Sequence, residues 1–305
     1  MIRIGLIGAG VFGFHHARVL SSIKEVQFEG IYDLNLKRAE EVSRQFGVPF
    51  FEKIEDLIKK INAVIIAVPT IYHKEVALKC ALEGINALVE KPLSDNIKDG
   101  EEIVNSFREK NLILAVGHIE RHNPVVEAVI KNVKNPKYIT IERLATFSPR
   151  SLDVDVILDL MIHDIQIVMD ILKNDLVDTK AVGIPVLSEK IDICNARLEF
   201  EGKRVASITA SRISQERVRK LRIFEEKRYF SVDYAEKTIK AYELVERDGQ
   251  KLVDEVKIEV SQQEPLRAEI MDFVKAIEGK KKPLVDGEKA LRALKIAKKI
   301  QEAIC

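Results

Sequence analysis

The sequence predicts an α/β protein in which an N-terminal, doubly wound parallel sheet is followed by an α+β domain with a mainly antiparallel sheet. Short β-branched runs alternate with helical patterns over the first third of the chain, as in repeated βαβ units. Beyond residue 120 the sequence pattern changes to longer stretches of alternating apolar and polar residues, typical of strands joined by short turns. The length of 305 residues also favours two domains, which we place at residues 1–120 and 121–305.

The first domain contains five strand patterns and five helical patterns. The strand runs are short and continuously apolar, which is typical of parallel strands covered by helices on both faces. The predicted strands are Ile2–Ile7, Val26–Tyr32, Ala63–Val68, Asn86–Val89 and Leu112–Val116, and the predicted helices are Val11–Ser22, Leu36–Phe46, Ile54–Lys60, Tyr72–Glu83 and Ile97–Lys110.

The second domain reads as a meander-like antiparallel sheet with a helix over Asp159–Leu172 that interrupts it early. From Pro265 to Ile304 helical periodicity returns, broken near Pro283 into two helices that we expect to pack back on the first domain. The predicted strands are Tyr138–Phe147, Val182–Ser188, Asn195–Phe200, Arg204–Ser211 and Arg228–Val232.

Composition narrows the class of partner. The chain has 49 basic and 48 acidic side chains, which indicates no general affinity for nucleic acid or an anionic membrane and favours a small molecule. We expect a cytoplasmic protein, because no apolar run has the length of a membrane span and the first residues lack a signal-peptide layout. Cys80, Cys194 and Cys305 are odd in number and far apart, as expected of reduced thiols. A charged fraction of 32% without Trp is also typical of heat-adapted proteins.

A glycine motif directly follows the first strand pattern. Gly8, Gly10 and Gly13 permit a tight turn, close approach of the backbone to a pyrophosphate, and close packing of helix on strand. The helix that begins with Val11 and Phe12 offers free N–H donors to the phosphate charge. The position of the motif between strand and helix favours a dinucleotide site, with a glycine-rich turn that holds no ligand as the alternative.

Asp33 and Arg38, which follow the second strand, bear on the choice of dinucleotide. Asp33 lies about twenty residues beyond the last glycine, the interval expected of an acid that binds a ribose 2′-hydroxyl. Its carboxylate would repel a 2′-phosphate, which favours NAD over NADP as the cofactor. Arg38 lies close enough in sequence to meet a phosphate or stack on adenine, so use of both cofactors stays open.

The third main strand pattern ends at the sheet edge where ligands bind in open α/β sheets. Ala67, Pro69 and Thr70 are therefore expected to border the dinucleotide. His73 follows in the next turn, either as part of the same site or as a helix-capping or surface residue.

Glu90, Lys91 and Pro92 close the strand Asn86–Val89, near where the nicotinamide ring should extend. Taken alone, a Lys-Pro pair after a strand is usually a turn. A lysine at this edge can donate to a substrate hydroxyl and stabilise the alkoxide character that develops as hydride leaves. We predict that Glu90 and Lys91 border the cofactor, and that Lys91 is also catalytic and contacts the substrate.

The helical stretch VDVILDLMIHDI places Asp159 and His163 four residues apart, hence on one face of a helix. A carboxylate bonded to an imidazole raises its basicity and fixes its tautomer, which makes His163 a competent general base for an alcohol proton. Asp159 would orient it, and both would line the substrate site. The alternative is a solvated aspartate beside a satisfied core histidine.

The segment His118 to His122 carries side chains that ligate metals, but not at the spacing of a His-Glu-x-x-His helix. We predict no metal site. Arg121 and Asn123 are expected instead to hold substrate oxygens.

These motifs resemble the Gfo/Idh/MocA oxidoreductases: GAGVFG at the start, AVPTIYH, EKP, and an Asp-x-x-x-His helix after the domain boundary. The resemblance spans the whole chain. It implies that Lys91 and His163 are catalytic positions, with Asp159 also in the site, and that the enzyme uses NAD(P) to oxidise or reduce a sugar or polyol carbon. It further implies a homodimer or homotetramer built through the C-terminal sheet.

One departure from the family pattern lies before the Asp-x-x-x-His helix, where many members carry paired glycines and this chain has Asp153-Val-Asp155. Within the family, VGHIERHNPVV and DLMIHDI are most similar to members that oxidise the 3-hydroxyl of UDP-N-acetylglucosamine. We therefore expect oxidation of a secondary hydroxyl on a sugar, with a nucleotide sugar favoured. A free-sugar or inositol-type dehydrogenase and a catalytically silent dinucleotide sensor are the alternatives.

Overall fold

The computed structural model describes residues 1–147 and 154–304. The chain divides into two compact units, which are residues 1–119 with 264–292 (unit 1) and residues 120–263 with 293–305 (unit 2). Within the described residues, no helix is both long and apolar enough to cross a membrane.

Cys80 and Cys194 are buried free thiols, whereas Cys305 lies outside the described residues. Asp153, in the loop that departs from the family pattern, also lies outside them.

Unit 1 contains a six-stranded, entirely parallel sheet, which confirms the predicted doubly wound fold. Its order is β3-β2-β1-β4-β5-β6, and β1, β4 and β5 carry most of the fully buried strand residues because helices cover both faces. The strands are β1 Ile2–Ile7, β2 Val26–Tyr32, β3 Phe50–Phe51, β4 Ala63–Ile66, β5 Asn86–Glu90 and β6 Leu114–Gly117; the helices are α1 Val11–Leu20, α2 Leu36–Phe46, α3 Ile54–Ile58, α4 His73–Leu82 and α5 Ile97–Glu109.

Local signals set the ends of these helices. The side chain of Asn35 accepts a bond from the N–H of Arg38 and caps α2, which ends at Gly47 with φ of +66°. Asn96 caps α5 in the same way, by accepting from the N–H of Asp99. Strand β3 was not predicted, because two residues are too few to show a period.

Unit 2 contains an eight-stranded sheet in the order β14-β13-β12-β11-β7-β10-β9-β8. Every neighbouring pair is antiparallel except β7 and β10, which run parallel, so the predicted mainly antiparallel sheet is confirmed. The strands are β7 Pro136–Leu144, β8 Leu176–Ile184, β9 Ile193–Phe200, β10 Arg204–Ser211, β11 Val218–Glu225, β12 Arg228–Asp233, β13 Thr238–Arg247 and β14 Gln250–Val256; the helices are α6 Pro124–Asn132 and α7 Ile162–Leu172, followed along the chain by α8 Pro265–Ile277 and α9 Gly287–Glu302.

The strand predicted at Val182–Ser188 is wrong in its bounds, since β8 ends at Ile184. The following residues form a loop around Asp192, whose Oδ2 accepts the N–H groups of Val186, Leu187 and Ser188 at 2.7 to 2.9 Å. A carboxylate that satisfies three successive N–H groups competes with a strand ladder and ends it. Strands β11, β13 and β14 were not predicted; β13 and β14 bury few of their side chains and so show little apolar alternation.

Candidate active site

The loop between β1 and α1 depends on its glycines. Gly8 has φ of +100°, and a Cβ there would lie 2.5 Å from the carbonyl oxygen of Ala67. A Cβ on Gly13 would lie 1.9 Å from the carbonyl oxygen of Gly8. At Gly10, by contrast, nothing lies within 4 Å of an added Cβ, so the backbone is open to a pyrophosphate at the start of α1. The residues present therefore fit a dinucleotide. Two further residues predicted at the cofactor, Val11 and Phe12, begin α1 with exposed side chains.

Gly13→Ala is expected to distort this loop and abolish dinucleotide binding, because the added carbon has no room. Gly10→Ala should keep the wild-type melting temperature, since its φ of −64° suits any residue, yet it should weaken binding by narrowing the approach of the phosphates. NADH fluorescence titrations and thermal melts of both variants measure this difference. Wild-type affinity for NADH in Gly13→Ala would contradict the assignment of the loop.

Asp33 and Arg38 both lie against the glycine loop. Asp33 Oδ2 accepts a 2.6 Å bond from the N–H of Ala9. Arg38 donates from Nε to the carbonyl oxygen of Ala9 at 2.9 Å, and its guanidinium lies 5.8 Å from the centroid of the Phe14 ring. The structure thus brings both residues to the loop where the sequence predicted them.

Strand β4 ends at Ile66, two residues earlier than predicted, and the chain then turns. Ala67 donates its N–H to the carbonyl oxygen of Ile7 on β1 at 2.8 Å, which keeps it beside the glycine loop. Pro69 precedes a short 3₁₀ turn that begins at Thr70, whose side chain is buried. Ala67 lies directly against the loop at Gly8, where an added Cβ would be 2.5 Å from the Ala67 carbonyl oxygen.

His73 is buried, so the expectation of a surface residue is wrong. Its Nδ1 lies 2.9 Å from the carbonyl oxygen of Pro92, and its Nε2 lies 2.9 Å from that of Val68. Burial lowers the pKa of His73, although the two carbonyls act in the opposite direction. Because both ring nitrogens face backbone carbonyls, His73 links the chain after β4 to the chain after β5. Its predicted contact with the dinucleotide stays a prediction.

Strand β5 ends at Glu90, and Lys91 follows it, half-buried, before a cis peptide bond to Pro92. Glu90 Oε1 lies 2.7 Å from Nε2 of His16 on α1, and Glu90 Oε2 accepts a 3.3 Å bond from the N–H of Lys91. His16 was missed by sequence reasoning. It lies on the buried face of α1 together with Gly13, and a histidine on such an apolar face is the signal that could have found it.

In unit 2, Asp159 and His163 lie in one helical segment, but the regular α-helix predicted through Asp159 is wrong. Residues Ile157–Met161 form a π-helical turn that leads into α7. The carboxylate of Asp155 accepts two N–H groups of this turn, at 3.1 and 3.0 Å, and so caps its start. His163 is buried and Asp159 is half-buried. Single π-helical turns occur frequently at functional sites.

The residue after His163 belongs to a buried ionic network that the sequence did not reveal. Arg143 on β7 donates from Nε and Nη2 to the two oxygens of Asp164 at 2.6 and 2.8 Å. Its Nη1 donates to Glu120 at 3.1 Å, and Arg219 donates to the same carboxylate oxygen at 2.6 Å. Burial alone lowers the pKa of Arg143, but the carboxylates of Asp164 and Glu120 raise it above its ordinary value. The guanidinium therefore stays charged and anchors the start of α7.

The two residues predicted to hold substrate oxygens have structural partners. Arg121 forms an ion pair with Asp170 on α7. Asn123 caps α6 by accepting from the N–H of Val125, and its amide donates to Glu120 at 3.2 Å and to the carbonyl oxygen of Tyr234 at 3.4 Å. The predicted contacts of Arg121 and Asn123 with a substrate stay predictions. The sequence alone could not separate the two roles, because several of the partners lie far along the chain.

Comparisons with known proteins establish the family and the fold of this chain. Residues 2–118 match the family Gfo/Idh/MocA, described as an oxidoreductase family with an NAD-binding Rossmann fold. Over 306 residues the chain is 34% identical to UDP-N-acetylglucosamine 3-dehydrogenase of Acidithiobacillus ferrooxidans, which covers 99% of this chain and 97% of that protein. The chain belongs to the Gfo/Idh/MocA family. A solved structure of the A. ferrooxidans protein matches this Gfo/Idh/MocA member with a TM-score of 0.93, again over 99% of this chain and 97% of its own.

Two further matches of this Gfo/Idh/MocA member have lower sequence identity. A myo-inositol 2-dehydrogenase of Thermotoga maritima is 26% identical over 202 residues, which are 62% of this chain and 60% of that protein. A levoglucosan dehydrogenase, solved in complex with NADH and levoglucosan, shares the fold with a TM-score of 0.89 at 17% identity, over 99% of this chain and 96% of its own. Family membership confirms an NAD(P)-dependent oxidoreductase that acts on CH–OH groups.

Proposed function

We propose that this enzyme oxidises the 3-hydroxyl of UDP-N-acetylglucosamine, or of a closely related nucleotide sugar, with NAD as the oxidant. The observation that carries the proposal is the 34% identity to the A. ferrooxidans UDP-N-acetylglucosamine 3-dehydrogenase over nearly all of both chains. The presence of Lys91, Asp159 and His163 supports it further, since a silent relative is expected to have lost at least one of them. The inositol dehydrogenases match a smaller share of the chain at lower identity.

The proposed mechanism gives each side chain one task. His163 takes the proton of the reacting hydroxyl as general base. Asp159 orients His163 and stabilises the imidazolium that forms. Lys91 donates to the same hydroxyl oxygen and stabilises the negative charge that develops on it. NAD, when bound, would supply the nicotinamide as acceptor for the hydride that leaves the sugar carbon.

The substrate is tested by following NADH formation with UDP-N-acetylglucosamine, free N-acetylglucosamine and myo-inositol at equal concentrations. We expect turnover with the nucleotide sugar, and a product that has lost two hydrogen atoms by mass spectrometry. Faster turnover with myo-inositol would instead support the inositol-type alternative. NADH binding without turnover of any sugar would support the silent sensor.

Preference for NAD over NADP is assigned to Asp33. The change Asp33→Asn keeps an oxygen that can accept from the N–H of Ala9 but removes the negative charge. We expect the preference for NAD to fall by about tenfold, which corresponds to the loss of a charged hydrogen bond worth about 1.5 kcal/mol. Steady-state kcat/KM with both cofactors measures this ratio, and an unchanged ratio would remove Asp33 as its determinant.

The proposed homo-oligomer uses the outer face of the unit 2 sheet. A row of aromatic rings crosses four adjacent strands there: Tyr138, Phe224, Tyr229 and Tyr242, with successive ring centroids 5.7, 5.0 and 6.3 Å apart. Tyr138 and Phe224 are 38% and 37% exposed, and an exposed apolar patch of this kind marks an interaction surface. Light scattering is expected to show a dimer or tetramer that Phe224→Glu dissociates; a monomeric wild-type protein would contradict the prediction.

A further inference from the structure

Three ionisable side chains meet inside unit 1, at the end of β5. They are His16 on α1, Glu90 at the end of β5 and Glu269 on α8, and one nitrogen or oxygen atom of each lies within 4.8 Å of the other two. His16 and Glu269 are 1% and 2% exposed. Whereas His16 and Glu90 bond to each other, neither carboxyl oxygen of Glu269 has a hydrogen-bond partner among the described residues. A buried carboxyl group without a partner requires an explanation.

A proton on Glu269 would explain how its carboxyl group can be buried without a hydrogen-bond partner. Two neighbouring carboxyl groups, of which Glu269 is buried and Glu90 is partly buried, cannot both hold a negative charge without a large cost. Burial raises the pKa of Glu269 well above its ordinary value, and the charges of Glu90 and Asp272 raise it further. The other charged groups near α8 have partners of their own: Asp272 with Lys281, Glu264 with Arg18 of α1, and Arg267 with Glu25.

The carboxyl group of Glu90 is already held on its other sides. It bonds to His16 and to the N–H of Lys91. It also packs over Gly117 on the neighbouring strand β6, where a Cβ would lie 3.1 Å from the Glu90 carboxyl carbon. A carboxyl oxygen of Glu269 lies within 4.8 Å of a carboxyl oxygen of Glu90. A donor there would fix the orientation of Glu90, and with it the last peptide before Lys91.

We propose that Glu269 is a positioning residue for Lys91: it keeps a proton and donates it in a hydrogen bond to Glu90, directly or through one water molecule. A separation of up to 4.8 Å is spanned by a small side-chain rotation or by a bridging water. The proposal rests on the proposed catalytic role of Lys91. It assigns to α8, a helix far along the chain from the glycine loop, a function in the reaction.

The experiment compares Glu269→Gln, which keeps an N–H donor without a titratable proton, with Glu269→Leu, which keeps the size and removes the donor. Glu278→Leu, at the surface end of the same helix, is the matched control. We expect Glu269→Gln to stay close to the wild-type kcat. Glu269→Leu should lower kcat by about 10²-fold, the cost of displacing a catalytic group by about 1 Å, with little change in the KM for NAD. Wild-type kcat in Glu269→Leu would overturn the proposal.

A second measurement does not depend on turnover. Glu269 has an ordinary pKa of 4.5 when unfolded and a higher pKa when folded, so between these values the folded protein holds one more proton than the unfolded chain. Stability is therefore full below pH 4.5 and falls as the pH rises towards the folded pKa, by about tenfold in the unfolding constant per pH unit. Glu269→Gln should remove this part of the slope. Identical pH slopes in the two proteins would show that Glu269 holds no proton.

Hydrogen exchange measures how firmly the backbone around Lys91 is held. Glu269→Leu should speed exchange in the peptide 87–93 while the peptide of β2 keeps its wild-type rate, and unchanged exchange in both would overturn the proposal. Two results together would overturn the proposal in favour of a metal site: an equal loss of kcat in both Glu269 variants, and a stoichiometric divalent metal in the wild type by elemental analysis. Glu269 would then be a metal ligand and not a proton donor. If the wild type turns over no sugar, the proposed function fails, whereas the pH slopes and exchange rates still decide whether Glu269 holds Glu90.

Discussion

Lys91→Ala is expected to lower kcat by about 10²- to 10³-fold, the usual effect of removing one donor to a developing oxyanion. The side chain follows β5 at the carboxyl edge of the parallel sheet, and the backbone on its N-terminal side is fixed by Glu90 and His16. Alanine leaves these bonds in place. The affinity for NADH and the melting temperature should therefore stay close to those of the wild type.

The measurement is steady-state turnover together with an NADH titration of the same preparation. Lys98→Ala is the matched control, because Lys98 is an exposed lysine in the first turn of α5 and should show wild-type values for both. Unchanged turnover in Lys91→Ala would discard the catalytic role of this lysine. A parallel loss of NADH affinity would place it at the cofactor instead.

Asp164→Ala is expected to lower the free energy of unfolding by about 3–5 kcal/mol, the cost of removing one partner of a buried ion pair. Arg143 is 2% exposed and Asp164 is fully buried, so the guanidinium would lose both of its bonds to Asp164 without gaining water. Glu120 would remain its partner, at a single longer bond of 3.1 Å. The start of α7, and His163 with it, would lose its anchor on β7.

Denaturant unfolding followed by circular dichroism measures this change. Glu199→Ala is the control: it breaks an exposed pair with Arg197 on the same sheet and should cost no more than about 1 kcal/mol. The double change Arg143→Met with Asp164→Leu should recover part of the lost stability, because apolar side chains replace the Arg143–Asp164 pair at little cost and Glu120, which loses Arg143, keeps its bond from Arg219. Similar values for Asp164→Ala and Glu199→Ala would show that the buried pair contributes no more than a surface one.

The parallel sheet of unit 1 could be predicted in nearly all its elements because its strands are buried on both faces and bounded by caps and glycines. The same features placed Gly8, Gly13, Asp33 and Arg38 correctly around one loop. These signals are local, since each spans a few residues along the chain. The confirmed family assignment depends on the same short motifs.

The features that sequence reasoning missed depend on partners far apart in sequence. His16 bonds to a residue 74 positions away, and Arg143 bonds to one 21 positions away. The roles of His73 and Asn123 could not be inferred, because a histidine or an asparagine near a strand end serves a ligand or the backbone equally well. Heat adaptation, inferred from the composition, and the cytoplasmic location stay predictions.

Unit 1 is discontinuous, and this has a consequence for biosynthesis and protein engineering. Its apolar core includes Leu266, Ile270 and Phe273 of α8, so the nascent chain cannot complete this core until ribosomes have translated the entire intervening sheet. A truncated product ending at residue 119 would expose the apolar surface that these three side chains cover, and such surfaces recruit chaperones or aggregate. A portable dinucleotide-binding module from this protein therefore needs residues 264–292 joined back through a linker.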